Sequence, residues 1–393
     1  MLDFNYSLPT NFIFGKDAHK RVGQVIRDMG YGRVLFVHED VPFITASGLL
    51  GAVLDSLQGA GLTVVEYTGV VPNPRLSLVH KGISVARENQ SDFILALGGG
   101  STIDTAKAIA AGVPYDGDVW DYFANAIGVH PVFSALPLGV ILTIAATGSE
   151  SNAGCMLTNE NGNLKQGCGG PALYPKFAIM NPELTCSLPA FQTACGVADM
   201  FSHICERYFT NTPNTYIIDG MCEGLMRSLR QVGPLLMQDL TNYDYRAEVM
   251  WAGTVAHNDT VGVGREQDWA THDMAHEIQG IYNTTHGAAI SIMLPAWMKH
   301  VWKHDPDRFV RYARNVMEID TDSCTKEEAV RKGIEKTGEF FKSLGMPGRL
   351  SEIGVDDSRF EEMAEKAVTN RGTIGFFQKL DKNDIISIYN LAK

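Results

Sequence analysis

The strongest constraint on the fold is a change of hydrophobic periodicity along the chain. In the first half, short apolar or β-branched runs alternate with amphipathic segments, which predicts strands and helices in turn. The segment 18–29, for example, carries Val22, Ile26 and Met29 on one helical face. The predicted strands are 34–37, 62–67, 93–97, 140–144 and 177–180. This alternation predicts a parallel sheet that helices cover on both faces.

After Pro189 the strand-like runs disappear and long helical patterns follow, as in the segment 216–237. Pro182 and Pro189 bracket a short polar connection between the two kinds of pattern. We therefore predict an α/β domain over residues 1–184 and an all-helical domain over residues 185–393. Candidate nucleotide-binding and metal-binding residues fall in different domains, which favours a site in the cleft between them.

Length, charge and cysteine usage narrow the class of protein. A chain of 393 residues suggests two or three domains. The net charge of −12, without a run of basic residues, argues against a nucleic-acid partner and favours a small molecule. Seven cysteines stand singly, without a Cys-x-x-Cys pair, which is typical of a reducing compartment. Because we find neither a signal peptide nor a membrane-spanning segment, we expect a cytoplasmic protein.

One aspartate and several histidines stand at helical spacing in the second half of the chain. Asp199 and His203 are four residues apart, as are His272 and His276, and His286 follows in a Thr-Thr-His-Gly segment. Residues four apart share a helix face, so a carboxylate and an imidazole can face one divalent ion. A lone histidine is more often a hydrogen-bonded core or surface residue than a ligand. The apolar neighbours of Asp199, however, predict a buried charge, which needs a partner such as a cation.

A glycine-rich segment, Gly98-Gly99-Gly100-Ser101, leaves a predicted strand and opens a predicted helix. Successive glycines let the backbone approach a pyrophosphate, and the amides at the helix start face the anion. Ser101 and Asp104 match a capping box. The segment departs from the Gly-x-Gly-x-x-Gly fingerprint, and a plain glycine turn is the alternative. A second loop, 143–152, carries small hydroxyl residues after another strand, and two such loops at one sheet edge favour a dinucleotide.

Together these motifs resemble the iron-containing (group III) alcohol dehydrogenases over nearly the whole chain. The segments that carry the resemblance are 98–104, 146–150, Asp199-x-x-x-His203, His272-x-x-x-His276 and His286-Gly287. The segments 115–121 and 268–272 look most like the butanol dehydrogenase branch. The resemblance implies a dehydroquinate synthase-like fold, which pairs an N-terminal Rossmann-like nucleotide domain with a C-terminal helical metal-binding domain. It also implies a homodimer formed through the nucleotide domains.

The resemblance further implies a role for each site residue. The implied metal ligands are Asp199, His203, His272 and His286. His276 would stand beside the nicotinamide, where a histidine can help to move a proton. Gly98, Gly99, Gly100 and Ser101 would hold the pyrophosphate. Further cofactor-binding residues are predicted at Asn73, Asp104, Thr143, Thr147, Asn152, Lys165 and Ser187, with a solvated lysine as the plain alternative for Lys165.

The end of the predicted strand 34–37 indicates the choice of cofactor. Glu39 and Asp40 follow it, where many NADP-using members of the resembled family carry a Gly-Ser turn for the 2'-phosphate. A carboxylate accepts hydrogen bonds from a free 2'-hydroxyl and repels a 2'-phosphate. We therefore predict a preference for NAD. A charged His38 would soften the repulsion, so NADP stays open.

The predicted ligand set indicates the chemistry. One aspartate and three neutral histidines leave a divalent ion with a net charge near +1 and an open position, as in Lewis-acid catalysis. Nitrogen and oxygen ligands suit Fe(II) or Zn(II), and also Co(II) or Mn(II). The predicted function is hydride transfer between a nicotinamide cofactor and a short- to medium-chain primary alcohol or aldehyde, such as butanol or butanal. No role is expected for His257 or His300.

Two kinds of alternative stay open. A glycerol dehydrogenase, or a propanediol dehydrogenase of the lactaldehyde type, would share the glycine-rich segment and the metal. A dehydroquinate synthase-type lyase would need more cationic residues than the segment 269–295 offers. A non-catalytic regulator that binds metal and nucleotide would keep the same residues, and turnover of NADH with butanal would exclude it.

Overall fold

The computed structural model describes residues 1–124, 130–162, 164–369 and 371–393. These residues form two compact units. One unit is Ser7–Leu188, and the other consists of Met1–Tyr6 with Pro189–Lys393.

The amino-terminal segment Met1–Tyr6 belongs to the helical unit, although the predicted α/β domain 1–184 includes it. The Leu2 amide donates to Gly264 O at 2.8 Å. A Cβ atom at Gly264 would lie 2.6 Å from the Met1 side chain, so the segment packs closely there. These contacts join residues far apart in the sequence, which explains why local patterns do not predict them.

The unit Ser7–Leu188 alternates strands and helices. Its elements are β1 (Asn11–Phe14), α1 (Val22–Asp28), β2 (Arg33–His38), α2 (Pro42–Thr45), α3 (Leu49–Gly59), β3 (Thr63–Tyr67), α4 (Leu76–Glu88), β4 (Phe93–Gly98), α5 (Gly100–Gly112), β5 (Leu138–Leu142), β6 (Gly154–Asn159), β7 (Leu164–Gly169) and β8 (Phe177–Met180). In the described residues a six-stranded sheet has the order β1-β8-β5-β4-β2-β3, and every neighbouring pair is parallel. The predicted α/β class is confirmed.

The structure contains strands that the apolar runs do not predict. Strand β1 has only four residues at the edge of the sheet, and both its ends are exposed. Strands β6 and β7 form a separate antiparallel hairpin. Their sequences contain glycine, asparagine, lysine and glutamine, which are not typical of strands. Pairing with a neighbour, rather than side-chain pattern, therefore creates these strands.

The glycine-rich segment and the second loop leave the sheet at the same edge. Strands β4 and β5 are parallel neighbours, and Gly98 pairs with Leu142 at their carboxyl ends. Both loops therefore begin side by side, as predicted.

The other unit is helical. Its elements are α6 (Ala190–Tyr208), α7 (Tyr216–Gln238), α8 (Tyr243–His257), α9 (Ala270–Tyr282), α10 (His286–Val301), α11 (Pro306–Asn315), α12 (Lys326–Ser343), α13 (Phe360–Val368) and α14 (Lys382–Ala392). Helix α6 is buried from Thr193 to its end and packs against α7, α8 and α10. The predicted helical half is confirmed. No described helix is both long and apolar enough to cross a membrane.

Candidate functional site

Three histidine side chains of the helical unit converge on one carboxylate oxygen of Asp199. Asp199 Oδ1 lies 3.5 Å from His203 Nε2, and both residues belong to α6. The Nε2 atoms of His272 in α9 and His286 in α10 lie 3.6 and 3.3 Å from the same oxygen. Ligand atoms of Asp199, His272 and His286 all lie within 4.8 Å of one another. The structure therefore groups three of the predicted ligands, and His203 joins them through its contact with Asp199 Oδ1.

The spacing of these atoms fits a bound cation better than it fits hydrogen bonding. Asp199 Oδ1 and His272 Nε2 are buried, and neither has a hydrogen-bond partner among the residues that the structure describes. In tetrahedral coordination, ligand atoms about 2.0–2.2 Å from an ion stand about 3.3–3.6 Å apart. The three separations from Asp199 Oδ1 lie in this range. The residues present thus fit a divalent ion, and their mixed oxygen and nitrogen donors suit Fe(II) or Zn(II).

Burial and mutual charge set the protonation of the cluster. Burial opposes ionisation of Asp199, but the neighbouring histidines, His203 first, hold the pKa of this carboxyl well below 3.8. Burial lowers the pKa of His203 well below 6.5. At His272 burial also acts against the charged form, but the carboxylates of Asp199 and Glu206 outweigh it and raise the pKa to about 9. The cluster therefore attracts positive charge, which a divalent ion would supply.

Close helix packing brings His286 to α6. A Cβ atom at Gly287 would lie 2.4 Å from Cys195 O, so a residue with a side chain cannot stand there without moving α10. Asp199 and His203 are each 3% exposed. The burial predicted from the apolar neighbours of Asp199 is thus present.

Outer hydrogen bonds orient two of the ligand histidines. Glu206 Oε1 accepts from His272 Nδ1 at 3.0 Å and from the His272 amide at 3.2 Å. Glu206 Oε2 accepts from the Trp269 amide at 2.9 Å. Gln279 Oε1 lies 2.8 Å from His286 Nδ1. When each histidine is neutral and its Nδ1 donates, the lone pair of Nε2 faces the cluster.

Glu206 is not among the residues predicted from the sequence. Its signal is nevertheless present, because Glu206 follows Asp199 by seven residues and His203 by three, which places all three on one face of α6. Gln279 has the same relation to His272, seven residues later on α9. Polar residues on the ligand-bearing face of each helix are therefore the sequence signal for both.

We expect Glu206→Gln to weaken metal binding about 10- to 100-fold, as is usual when the outer partner of a ligand histidine is lost. Glutamine has one acceptor oxygen and one donating amide group. The amide group would therefore face an N–H group that now donates to the Glu206 carboxylate. Competition with a chromophoric chelator measures the affinity. The control is Glu335→Gln, which alters an exposed carboxylate paired with Arg331. Unchanged affinity in the Glu206 variant would contradict this role.

His276 borders the ligand rings. It lies one helical turn after His272 on α9 and is partly buried. Its ring centroid is 5.4 Å from that of His286 and 6.4 Å from that of His272. A group bound at the cluster would therefore stand near this imidazole.

His257 and Trp269 also pack against the cluster, although no role is predicted for His257 from the sequence. The ring centroid of His257 lies 4.1 Å from that of His203. Trp269 contacts both His257 and His272, with centroid distances of 5.1 and 5.2 Å. Trp269 has a φ of 73°, which a bulky residue rarely adopts, and the carboxylate of Glu206 holds its amide. His300 instead pairs with Asp384, with His300 Nε2 3.1 Å from Asp384 Oδ1.

In the unit Ser7–Leu188, the glycine-rich segment and the second loop pack against each other. A Cβ atom at Gly99 would lie 2.9 Å from Ile144, and one at Gly100 would lie 2.8 Å from Thr147. The glycines therefore make room for the second loop. Helix α5 begins at Gly100, and the amides of its first turn lie at this edge of the sheet.

The capping box predicted for Ser101 and Asp104 does not form. Gly99 is the N-cap of α5, and no side chain caps the helix. Asp104 instead accepts from Ser149 Oγ at 2.6 Å and from the Met156 amide at 3.0 Å. Because the helix begins earlier than the box requires, Asp104 links α5 to the second loop and to β6.

A buried lysine donates hydrogen bonds to the end of the second loop. Lys107 Nζ donates to Asn152 O and to Gly154 O, both at 2.8 Å, and to Asn152 Oδ1 at 3.1 Å. Burial lowers the pKa of Lys107, since the charged form is desolvated. The side-chain oxygen of Asn152 is therefore engaged within the unit.

Among the other predicted cofactor residues, two hydrogen bonds are seen. Glu39 Oε1 accepts from Thr102 Oγ1 at 2.7 Å, so Glu39 borders the first turn of α5. Lys165 Nζ donates to Asn73 Oδ1 at 3.1 Å, which brings two predicted residues together. Of the remaining residues, Thr143 is buried, whereas Asp40 and Ser187 are exposed.

Known protein families and relatives match this chain over nearly its whole length. Residues 9–182 match the family described as iron-containing alcohol dehydrogenase, and residues 193–392 match the C-terminal part of the Fe-containing alcohol dehydrogenase family. The chain is 40% identical over 388 residues to the probable NADH-dependent butanol dehydrogenase 1 of Bacillus subtilis, covering 99% of each protein. It is 35% identical over 370 residues to the NADPH-dependent aldehyde reductase YqhD of Escherichia coli, covering 93% of each.

A solved structure is similar as well. The NADH-dependent butanol dehydrogenase A of Thermotoga maritima aligns with a TM-score of 0.94 and 35% identity, covering 100% of this chain and 99% of that one. The fold expected from the resemblance is therefore confirmed.

Proposed function

Because the chain belongs to the iron-containing alcohol dehydrogenase family, we propose that it transfers hydride between a nicotinamide cofactor and a short- to medium-chain primary alcohol or aldehyde, such as butanol or butanal. The observation that carries the proposal is the convergence of three histidine nitrogens on Asp199 Oδ1. Relatives named for butanol and for aldehydes support the substrate class.

The helical unit would be the metal-binding domain. Asp199, His203, His272 and His286 would hold Fe(II) or Zn(II). Such an ion, when bound, supplies Lewis-acid polarisation of a carbonyl or hydroxyl oxygen. Glu206 and Gln279 keep the ligand histidines in the tautomer that presents Nε2. His276, beside the ligand rings, would accept a proton when an alcohol is oxidised and donate one when an aldehyde is reduced.

The unit Ser7–Leu188 would be the nucleotide-binding domain. The amides at the start of α5 and the segment Gly98–Ser101 would face the pyrophosphate. Asp104 would support this edge through Ser149 rather than contact the cofactor. The other proposed cofactor-lining residues are Glu39, Asp40, Asn73, Thr143, Thr147, Asn152, Lys165 and Ser187.

The proposal is tested by mixing the metal-loaded protein with NADH and butanal and following the absorbance of reduced nicotinamide. We expect turnover that a chelator abolishes and that added Fe(II) or Zn(II) restores. Turnover of glycerol or propanediol, without turnover of butanal, would instead identify a glycerol or propanediol dehydrogenase. Failure to turn over any short aldehyde, with metal and cofactor both bound, would favour a non-catalytic regulator.

We expect a higher kcat/KM with NADH than with NADPH. Glu39 follows β2 beside the glycine-rich segment, where its charge would repel a 2'-phosphate. Glu39→Ser should lower the NADH:NADPH ratio about tenfold, which corresponds to about 1.4 kcal/mol of lost discrimination. The control is Asp55→Ser, at an exposed acid of the same unit. A strong preference of the unaltered protein for NADPH would refute the assignment.

We also propose a cytoplasmic homodimer formed through the nucleotide-binding units, which the family resemblance supports. Light scattering in solution should give twice the mass of one chain. A monomeric mass at working concentrations would contradict the dimer.

A further inference from the structure

The ligand histidines of the cluster are not held alike. His272 Nδ1 lies 3.0 Å from Glu206 Oε1, and His286 Nδ1 lies 2.8 Å from Gln279 Oε1. His203 Nδ1 is buried and has no hydrogen-bond partner among the described residues. A ligand histidine usually donates from its second nitrogen to an acceptor, which fixes the orientation of the ring. No described residue forms this hydrogen bond with His203 Nδ1.

His257 offers an unused acceptor next to this ring. The two ring centroids are 4.1 Å apart, and the planes meet at 68°, which is an edge-to-face contact. His257 Nδ1 is also buried without a hydrogen-bond partner in the described structure. Leaving a buried polar group unpaired costs on the order of 1–3 kcal/mol. Two such nitrogens on rings in contact would therefore gain free energy if a rotation of the rings paired them with each other.

Surrounding contacts restrict how far the His257 ring can move. Its ring packs against that of Trp269, with the planes 30° apart and the centroids 5.1 Å apart. The guanidinium of Arg207 lies 4.6 Å from the centre of the Trp269 ring. Arg207 Nη1 also donates to His203 O at 3.1 Å, so the same residues enclose both imidazoles.

We propose that His257 is a positioning residue for His203, whose Nδ1–H it would accept once a bound ion holds His203 Nε2. The inference rests on the proposed function, because it requires that the cluster bind a divalent ion. A neutral acceptor suits this place. Asp199 and Glu206 already supply two negative charges against the two charges of the ion, and Asp259 pairs with the nearby Arg207. A third buried carboxylate would therefore stand uncompensated.

Two substitutions separate hydrogen bonding from packing. His257→Leu fills a similar volume without an acceptor, whereas His257→Gln keeps an acceptor oxygen. We expect the Leu variant of the full-length protein to bind Co(II) about 10- to 100-fold more weakly in chelator competition and to change the visible absorption spectrum of the bound ion. The Gln variant should recover most of the affinity and the spectrum. His304→Leu, at an exposed histidine, is the control.

Each outcome of this comparison has a defined meaning. Unchanged affinity and spectrum in the Leu variant would overturn the inference. Equal loss in the Leu and Gln variants would also overturn it, because packing alone would then explain the effect. Failure of the unaltered protein to bind Co(II) would instead refute the proposed function, and the inference with it.

A second measurement does not depend on the variants' stability. The imidazole ¹⁵N shifts of histidine-labelled, zinc-loaded protein report which nitrogen carries the proton. We expect His257 Nδ1 to be unprotonated and hydrogen-bonded, with the proton on His203 Nδ1. A protonated Nδ1 on His257 would contradict the proposal.

Discussion

His272→Ala should abolish both metal retention and turnover. The substitution removes a nitrogen that lies 3.6 Å from Asp199 Oδ1 and leaves Glu206 without the imidazole that it orients. Lewis-acid catalysis is worth several kcal/mol, and each 1.36 kcal/mol changes a rate tenfold. We therefore expect kcat/KM for butanal to fall by at least about 10³-fold, together with the loss of bound metal in elemental analysis.

His276→Ala is the matched control for this prediction. It makes the same chemical change one helical turn further along α9. We expect the metal content to stay unchanged while turnover falls about 10²- to 10⁴-fold, the usual contribution of a general acid or base. Bound metal with normal turnover in the His272 variant would refute the ligand assignment. Equal metal loss in both variants would place His276 among the ligands.

Asp219→Ala should destabilise the helical unit by about 3–5 kcal/mol, the range for removing one partner of a buried ion pair. Asp219 Oδ1 lies 2.7 Å from Arg265 Nη2 and 2.6 Å from Arg308 Nη2. Asp219 Oδ2 lies 2.8 Å from Arg311 Nη1. Without this carboxylate, the fully buried guanidinium of Arg265 would lose its anionic partner.

The dependence on pH gives a second test of this ion cluster. Burial opposes ionisation of Asp219, but Arg308 and Arg265 lower the pKa of its carboxyl below 3.8. A carboxyl whose pKa is lower in the folded state stabilises the fold above its unfolded pKa, and this contribution is lost as the pH falls. Acidification below about pH 4 should therefore destabilise the unaltered protein more than the variant.

Chemical denaturation followed by circular dichroism measures both effects. Asp322→Ala is the control, because it removes an exposed carboxylate that is paired with Arg314. We expect the free energy of unfolding to change little in this control, since exposed ion pairs contribute little. Similar destabilisation by both substitutions would contradict the special role of Asp219.

Local hydrophobic patterns predict some strands of this fold and not others. Strands β2, β4 and β8 are apolar runs that are buried almost throughout, and their periodicity predicts them. The hairpin of β6 and β7 carries no such pattern, because its stability comes from pairing between strands. The missing capping box has a related cause. At the start of α5, Gly99 and Gly100 pack against the second loop. Asp104 accepts a hydrogen bond from Ser149 Oγ instead of taking part in a capping box.

The sequence by itself determined the two kinds of domain, the pairs Asp199 with His203 and His272 with His276, and the family resemblance. Helical spacing is a local property of the backbone, so four-residue intervals predict shared faces without tertiary information. Only the tertiary structure decided which faces meet. His272 reaches Glu206 across 66 residues, and His257 reaches the ring of His203 from another helix. Such contacts depend on close packing between helices, as at Gly287, and packing of that kind has no signature in local periodicity.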